Sequence, residues 1–101
     1  MKTMGTKSAT SILAHCAELL AERGKDYDDG EERSMGKVVE MFNVATGHNL
    51  SETQGWLFMQ LVKIVRQETS KVVHKDSYLD DTSYSALKAE SAFKNQNKEK
   101  S

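Results

Sequence analysis

The side chains best suited to chemistry are cations in two separate stretches of the chain. Lys63 and Arg66 stand three residues apart in an otherwise apolar run, and Arg23 and Lys25 flank a glycine earlier in the sequence. A cation inside an apolar helix loses solvation, so Lys63 and Arg66 need either acidic partners or an anionic ligand. Phosphate oxygens could accept charge-assisted hydrogen bonds from all four cations.

Carboxylates follow the second basic pair. Asp76, Asp80 and Tyr84 are spaced four residues apart, so a helix that includes them would place all three on one face. A few carboxylates, waters and phosphate oxygens are the ligands that Mg²⁺ prefers, which makes the two aspartates candidate metal ligands. A structural alternative is equally open, in which these acids pair with Lys63 and Arg66 and lock two helices together. A ligand could replace part of such a lattice.

Two further signals lie nearer the N-terminus. Glu18 and Glu22 have the i, i+4 spacing that could face a metal, although such a pair is more often a solvated helix face. The acidic stretch from Asp26 to Glu32 lacks the spacing of glycine and distal glutamate that an EF-hand calcium loop requires, and a solvated turn explains it better. No catalytic residue is assigned. The predicted ligand-binding residues are Arg23, Lys25, Tyr27, Lys63, Arg66 and Tyr84.

Composition excludes several classes of protein. The 101 residues suffice for one small domain, and 14 basic against 15 acidic residues leave no basic field of the kind that nucleic-acid binding requires. The single cysteine, Cys16, excludes an intrachain disulfide, and its place on an apolar helix face predicts a buried thiol. No apolar run is long enough for a signal sequence or a membrane span, and a lone thiol fits the cytoplasm. No P-loop is present.

Apolar spacing predicts four helices and no strand, hence an all-α fold. The first helix begins at Ser8 or Thr10 and ends at Gly24. The second begins at Asp29, which forms a capping box with Glu32, and ends at Gly47. The apolar stripe of the second helix comprises Met35, Val38, Val39, Phe42 and Ala45.

The third helix begins with a capping box of Ser51 and Gln54. The run from Trp56 to Arg66 is apolar on nearly every side, which predicts burial either at the centre of the domain or against another subunit. Trp56 is interpreted as a core anchor. The fourth helix begins near Ser77 with Asp80 at its N3 position, and its predicted core side chains are Tyr84, Leu87 and Phe93.

These elements predict a single helical domain at residues 8–93, between flexible tails at residues 1–7 and 94–101. The core of four such helices is thin. The excess apolar surface of the third helix therefore predicts that the compact four-helix domain assembles into a homo-oligomer. The alternative is a monomer in which the other three helices surround the third.

The order of these motifs resembles a family of small helical proteins encoded by bacteriophages, with the pattern R-x-K-D-Y-G-D, an aromatic-ended helix, K-x-x-R and D-S-x-x-D-x-x-x-Y. The matching stretches are residues 23–29, 38–42, 63–66 and 76–84. Asp28 and Ser83 stand where that family usually has glycine. The family is distantly similar to the MazG-type all-α nucleoside triphosphate pyrophosphohydrolases, helical oligomers that bind Mg²⁺ through carboxylates. This chain lacks their E-x-x-E pair, which affects hydrolysis more than nucleotide binding.

The leading hypothesis is a phage-encoded helical oligomer, located in the host cytoplasm, that binds a nucleotide or a related phosphorylated small molecule with Mg²⁺ at Asp76 and Asp80. If it is an enzyme, the resemblance implies a nucleotide pyrophosphohydrolase. A second hypothesis is a non-catalytic sponge that sequesters a host signalling nucleotide and so acts against host defence. A third is a protein that binds and inhibits a host enzyme or defence complex. None of the three involves a membrane, and nucleic-acid binding is disfavoured.

Overall fold

The computed structural model describes residues 8–24 and 34–100, and within these ranges the chain contains four helices and no strand. The helices are α1 at Ala9–Gly24, α2 at Ser34–Thr46, α3 at Glu52–Thr69 and α4 at Lys75–Lys100. The all-α prediction is confirmed. The chain divides into two compact units, residues 1–32 with α1 and residues 33–101 with the other three helices. None of the described helices combines the length and the apolar character that crossing a membrane requires.

Helix α1 begins where Ser8 caps it. The Ser8 hydroxyl oxygen accepts a hydrogen bond from the backbone N–H of Ser11 at 3.1 Å, which satisfies one of the amide groups left open at a helix start. Cys16 is buried and forms no disulfide, so the prediction of a buried thiol is confirmed. Leu13, by contrast, is exposed.

Helix α2 ends as the sequence predicts. Its last residue is Thr46, and Gly47 follows in the left-handed region at φ +78°, where a residue without a Cβ is favoured. Asn43 then fixes the connection to α3, since its side-chain amide bonds both the carbonyl and the N–H of Leu50 at 3.0 and 2.9 Å. The predicted start at Asp29, with its capping box, lies outside the described residues.

Helix α3 begins with the predicted capping box. The N–H of Gln54 donates to the Ser51 hydroxyl at 3.1 Å, and the N–H of Ser51 donates to the Gln54 side-chain oxygen at 2.9 Å. The predicted start of the fourth helix is wrong by two residues. Helix α4 begins at Lys75, because Ser77 is fully buried inside the first turn and bonds His74 instead of capping the helix.

Helix α2 packs on α3 along a narrow strip centred on Gly55. Met35 and Val39 are buried there, and a Cβ added to Gly55 would lie 2.5 Å from the Met35 sulfur and 2.7 Å from Val39 Cγ1. The glycine is therefore what lets the two helices approach. Val38 and Phe42 were predicted to belong to the same core stripe, and that part is wrong because they lie beside the strip and remain exposed.

Gly55→Ala is expected to lower the free energy of unfolding by about 1 kcal/mol. Overpacking costs about 1–3 kcal/mol, and the better helix propensity of alanine returns up to about 1 kcal/mol. Gly36→Ala is the matched control, since its Cβ would meet only Glu52 at 3.7 Å and the variant should be as stable as the parent or more so. Urea denaturation of both variants measures the difference, and equal midpoints would mean that Gly55 does not set the helix approach.

Helices α3 and α4 form an antiparallel hairpin that holds three of the six buried apolar side chains of the described residues. Trp56, Leu79 and Leu87 are buried, which confirms Trp56 as a core anchor. Phe93 was also predicted as core, and this is wrong, because its side chain is 64% exposed. Ser91 already lies opposite Thr53 in the first turn of α3, and two residues turn a helix by about 200°, so Phe93 faces away from α3. Helix α4 then continues to Lys100, past the predicted domain end.

Candidate functional site

The face of α3 that packs on α4 is mostly polar. Its side chains follow one another at helical spacings of three or four residues, which places them on one side of the helix. They are Thr53, Trp56, Gln60, Lys63 and Gln67. We call these five side chains, together with the α4 groups that face them, the polar layer. Polar groups between two helices must find partners, so the layer specifies which residues of α4 lie opposite which of α3.

An ion pair lies near the middle of the polar layer. Lys63 Nζ is 3.0 Å from Asp80 Oδ2, with only 14% and 18% of the two side chains exposed. At this burial the pair is screened by solvent far less than a surface pair. Removing Asp80 would strand the Lys63 charge in a partly desolvated site.

Beyond this pair, Gln67 connects the end of α3 to the start of α4. Its side-chain nitrogen donates to the Asp81 carboxylate at 2.9 Å and to the Ser77 carbonyl at 3.2 Å, which uses both amide hydrogens. The Ser77 hydroxyl in turn bonds His74 Nδ1 at 2.5 Å. These bonds fix the short turn between the helices and hence the position of Asp80 opposite Lys63.

The other end of the polar layer is held by a hydroxyl chain and an aromatic pair. Ser91 Oγ donates to the Lys88 carbonyl at 2.8 Å, so its 2.7 Å bond with Thr53 must use the threonine hydrogen. Trp56 stacks on Tyr84 with ring centroids 5.5 Å apart. Tyr84 is thereby placed as a packing partner of the core anchor at the same interface as Asp80.

Gln60 is the residue of the polar layer whose hydrogen bonding is incomplete. Its side-chain oxygen is buried and accepts no hydrogen bond from any residue that the structure describes. A buried amide oxygen without a donor costs about 1–3 kcal/mol. Gln60 lies one turn from Lys63 on the same face, so an acceptor without a donor stands next to a desolvated cation.

Arg66 and Asp76 do not join the ion pair. Both side chains are exposed, and neither makes an ion pair with any residue in the described ranges. Only the Lys63–Asp80 half of the predicted salt-bridge lattice is therefore present there. Helix α4 includes Asp76, so Asp76, Asp80 and Tyr84 lie on one side of the helix as predicted, with Asp76 exposed and the other two half-buried.

The remaining predicted site residues belong to the first unit. Arg23 is half-buried in the last turn of α1, and Glu18 and Glu22 are exposed on that helix. Glu18 lies 3.7 Å from His15, three residues earlier. Lys25 and Tyr27 lie outside the described residues. Within residues 8–24 and 34–100, no three histidine, cysteine or acidic side chains come together in the manner of a metal site.

Several members of the polar layer were missed by the sequence reasoning. Gln60, Gln67 and Thr53 were not singled out, although they continue the spacing of Trp56 and Lys63 along one face. These residues form a polar stripe on an otherwise apolar helix, and a pattern of apolar spacing alone does not reveal such a stripe. Asp81 was likewise missed because its partner is a glutamine rather than a cation.

The described residues are organised as helices, and the polar layer holds α3 and α4 together as a hydrogen-bonded hairpin. Residues 11–92 match a family model described as a domain of unknown function, DUF6378, and the chain belongs to that family. No curated protein and no solved structure matches the chain. The family description states no activity, so phage origin and the resemblance to MazG-type enzymes stay hypotheses.

Proposed function

We propose that the chain binds a phosphorylated small molecule, with a nucleotide as the first candidate, next to Lys63 in the polar layer. The observation that carries the proposal is the position of Lys63, a cation only 14% exposed, one turn from a buried acceptor at Gln60 and three residues from Arg66. Arg66 is exposed and pairs with no described acid. The two cations therefore present more positive charge than Asp80 balances locally.

The donors of this cluster are mostly unused. A lysine ammonium has three N–H donors and an arginine guanidinium has five. Asp80 engages Lys63 through one carboxylate oxygen, and no described side chain accepts from Arg66. Phosphate oxygens accept several hydrogen bonds at once and prefer charged donors. A phosphate seated between the two side chains would leave the Lys63–Asp80 pair in place.

Gln60 favours a ligand that has donors as well as phosphates. Its unpartnered oxygen can accept from a sugar hydroxyl or a base amino group, which inorganic phosphate at neutral pH supplies poorly. The residue is half-buried, so a rotation of its side chain can bring the amide to the surface. A nucleotide combines both kinds of group in one molecule, and this favours it over a simple anion.

Magnesium fits this proposal as a companion of the ligand. Asp76 and Asp80, four residues apart on α4, could add carboxylate oxygens to those of the phosphates. When bound, the ion would polarise a phosphoanhydride and activate water, which is the chemistry of a pyrophosphohydrolase. Asp80 is already paired with Lys63, so binding without turnover, as in a sponge for a signalling nucleotide, is the second candidate.

The test is a titration of the full chain with nucleotides, in the presence and in the absence of Mg²⁺. Binding is monitored through the fluorescence of Trp56, which is the only tryptophan and lies one turn from Gln60. Arg66→Ala is the informative variant, because its side chain is exposed and the fold should be unaffected. We expect Arg66→Ala to weaken binding by about tenfold to a hundredfold, as loss of a charged hydrogen bond implies. Isothermal titration calorimetry gives the affinities.

Lys37→Ala is the matched control, since Lys37 is an exposed cation on α2 and its loss changes the net charge equally. If both variants lost nucleotide affinity equally, the loss would reflect only the change in net charge, and this result would contradict the proposal. The absence of binding by any nucleotide would also contradict it. Chromatography of the recovered ligand separates hydrolysis, which yields cleaved products, from sequestration, which returns the nucleotide unchanged.

A further inference from the structure

Helix α3 turns its most apolar side away from α4. The face toward α4 carries the polar layer, whereas Leu57, Phe58, Leu61 and Val65 lie outside that face and are all exposed, Phe58 by 63%. Their positions span about 100° of the helix circumference, so they form one continuous stripe. Neither α2 nor α4 covers this stripe.

Helix α2 adds a second apolar stripe next to the first. Val38, Met41, Phe42 and Ala45 have the i, i+3, i+4, i+7 spacing of a packed helix face, yet all four are exposed. Between the two stripes runs a groove with a volume of about 180 Å³. Val38 and Phe42 line one wall and Phe58 lines the other, so the groove joins the stripes into one α2–α3 face.

We propose that the α2–α3 face is the interface between two copies of this chain. The seven large residues of the two stripes are 41–73% exposed, so together they present an apolar patch on the order of several hundred Å². A stable interface takes about 800 Å² from each partner, whereas contiguous apolar patches of this size are uncommon on monomers. The inference is independent of the proposed ligand site, which lies on the opposite side of α3.

A second copy fits the face better than a charged partner does. The two stripes contain no charged side chain. In a two-fold dimer the same patch meets itself, so an uncharged patch brings no like charges together at its centre. Gln54 and Glu68 flank the α3 stripe at its two ends.

Those ends also favour an antiparallel contact of the two α3 helices, centred on Leu61. Gln54 and Glu68 lie seven residues before and after Leu61, so each Glu68 would face Gln54 of the other copy. A parallel contact would place Glu68 against Glu68, which repels. The antiparallel arrangement also sets Leu57 of each copy opposite Val65 of the other.

Sedimentation velocity of the full chain with Leu61→Glu tests the interface. The parent is expected to sediment as a dimer at micromolar concentration. Leu61→Glu should raise the dissociation constant more than a hundredfold, because a carboxylate would be buried at the centre of an apolar contact. Val44→Glu is the matched control, since Val44 is an exposed apolar residue of α2 that points about 100° away from the stripe and should leave the dimer intact.

Cysteine cross-linking tests the arrangement in a Cys16→Ser background. Leu61→Cys should form a disulfide between copies on oxidation, whereas Val65→Cys should not, because eight residues of helix separate the two sites by about 12 Å in an antiparallel contact. A parent chain that stays monomeric at hundreds of micromolar, or a dimeric Leu61→Glu variant, overturns the proposal. Self-cross-linking through Val65→Cys overturns the antiparallel arrangement.

Discussion

Replacing Trp56 by alanine is expected to lower the free energy of unfolding by about 3–5 kcal/mol, the range observed for truncation of a buried aromatic side chain. Trp56 is only 4% exposed, and its ring stacks on Tyr84 across the α3–α4 interface. A small domain is stable by about 5–15 kcal/mol, so the variant should be marginally folded. Urea denaturation followed by far-ultraviolet circular dichroism measures the loss without relying on the tryptophan.

Two further variants show whether the stability loss in Trp56→Ala comes from packing at this position or from the loss of any large apolar side chain. Trp56→Phe keeps an aromatic ring beside Tyr84 and should lose less than half as much stability. Phe93→Ala removes an aromatic side chain that is mostly exposed and should change stability by less than about 0.5 kcal/mol. Similar losses in Trp56→Ala and Phe93→Ala would show that Trp56 does not anchor the hairpin.

The helix ends that could be predicted are those decided within a few residues. The capping box of Ser51 and Gln54 requires only local bonds, and Gly47 ends α2 through its own backbone conformation. The start of α4 was misplaced for the converse reason. Ser77 has the composition of a cap, but its hydroxyl bonds His74 and its carbonyl accepts from Gln67, a residue ten positions away that no local pattern reveals.

The orientation of α3 could not be predicted, because it depends on which face meets α4. An apolar run predicts burial somewhere, and the direction is set by the partner helix. The buried face proved to be the polar one because α4 offers polar partners, including Asp80 for Lys63 and Ser91 for Thr53. Because this run is apolar on nearly every side, its sequence does not indicate which face of α3 packs on α4.

The candidate site was predicted in part for similar reasons. The need of Lys63 for an acidic partner follows from the cost of burying a charge, and Asp80 supplies that partner. The same argument failed for Arg66, because it assumed burial and the side chain is exposed. Gln60 could not be found from the sequence, since an unpartnered amide is recognised only once its neighbours are known.

In the Lys63–Asp80 pair, we expect loss of the aspartate charge to destabilise the fold more than replacement of the lysine by an apolar side chain. Asp80→Asn is expected to lower the free energy of unfolding by about 2–3 kcal/mol, somewhat less than the 3–5 kcal/mol lost when a fully buried pair is broken. Asp80 supplies the only ion pair that Lys63 makes with a described residue, so the variant strands the ammonium in a site that is 14% exposed. Lys63→Met should cost less, since it replaces the charge by an apolar chain of similar length and Asp80 keeps other interactions.

A double-mutant cycle over these substitutions isolates the interaction. Asp80→Asn should cost less in the Lys63→Met background than in the parent, which corresponds to a coupling energy of at least about 1 kcal/mol. The exposed Glu90–Lys94 pair on α4, 3.9 Å apart, is the control and should couple by less than about 0.5 kcal/mol. If both cycles gave the same small coupling, Lys63 would be solvated like a surface cation, and it would no longer stand out as the desolvated donor to which a phosphate group binds.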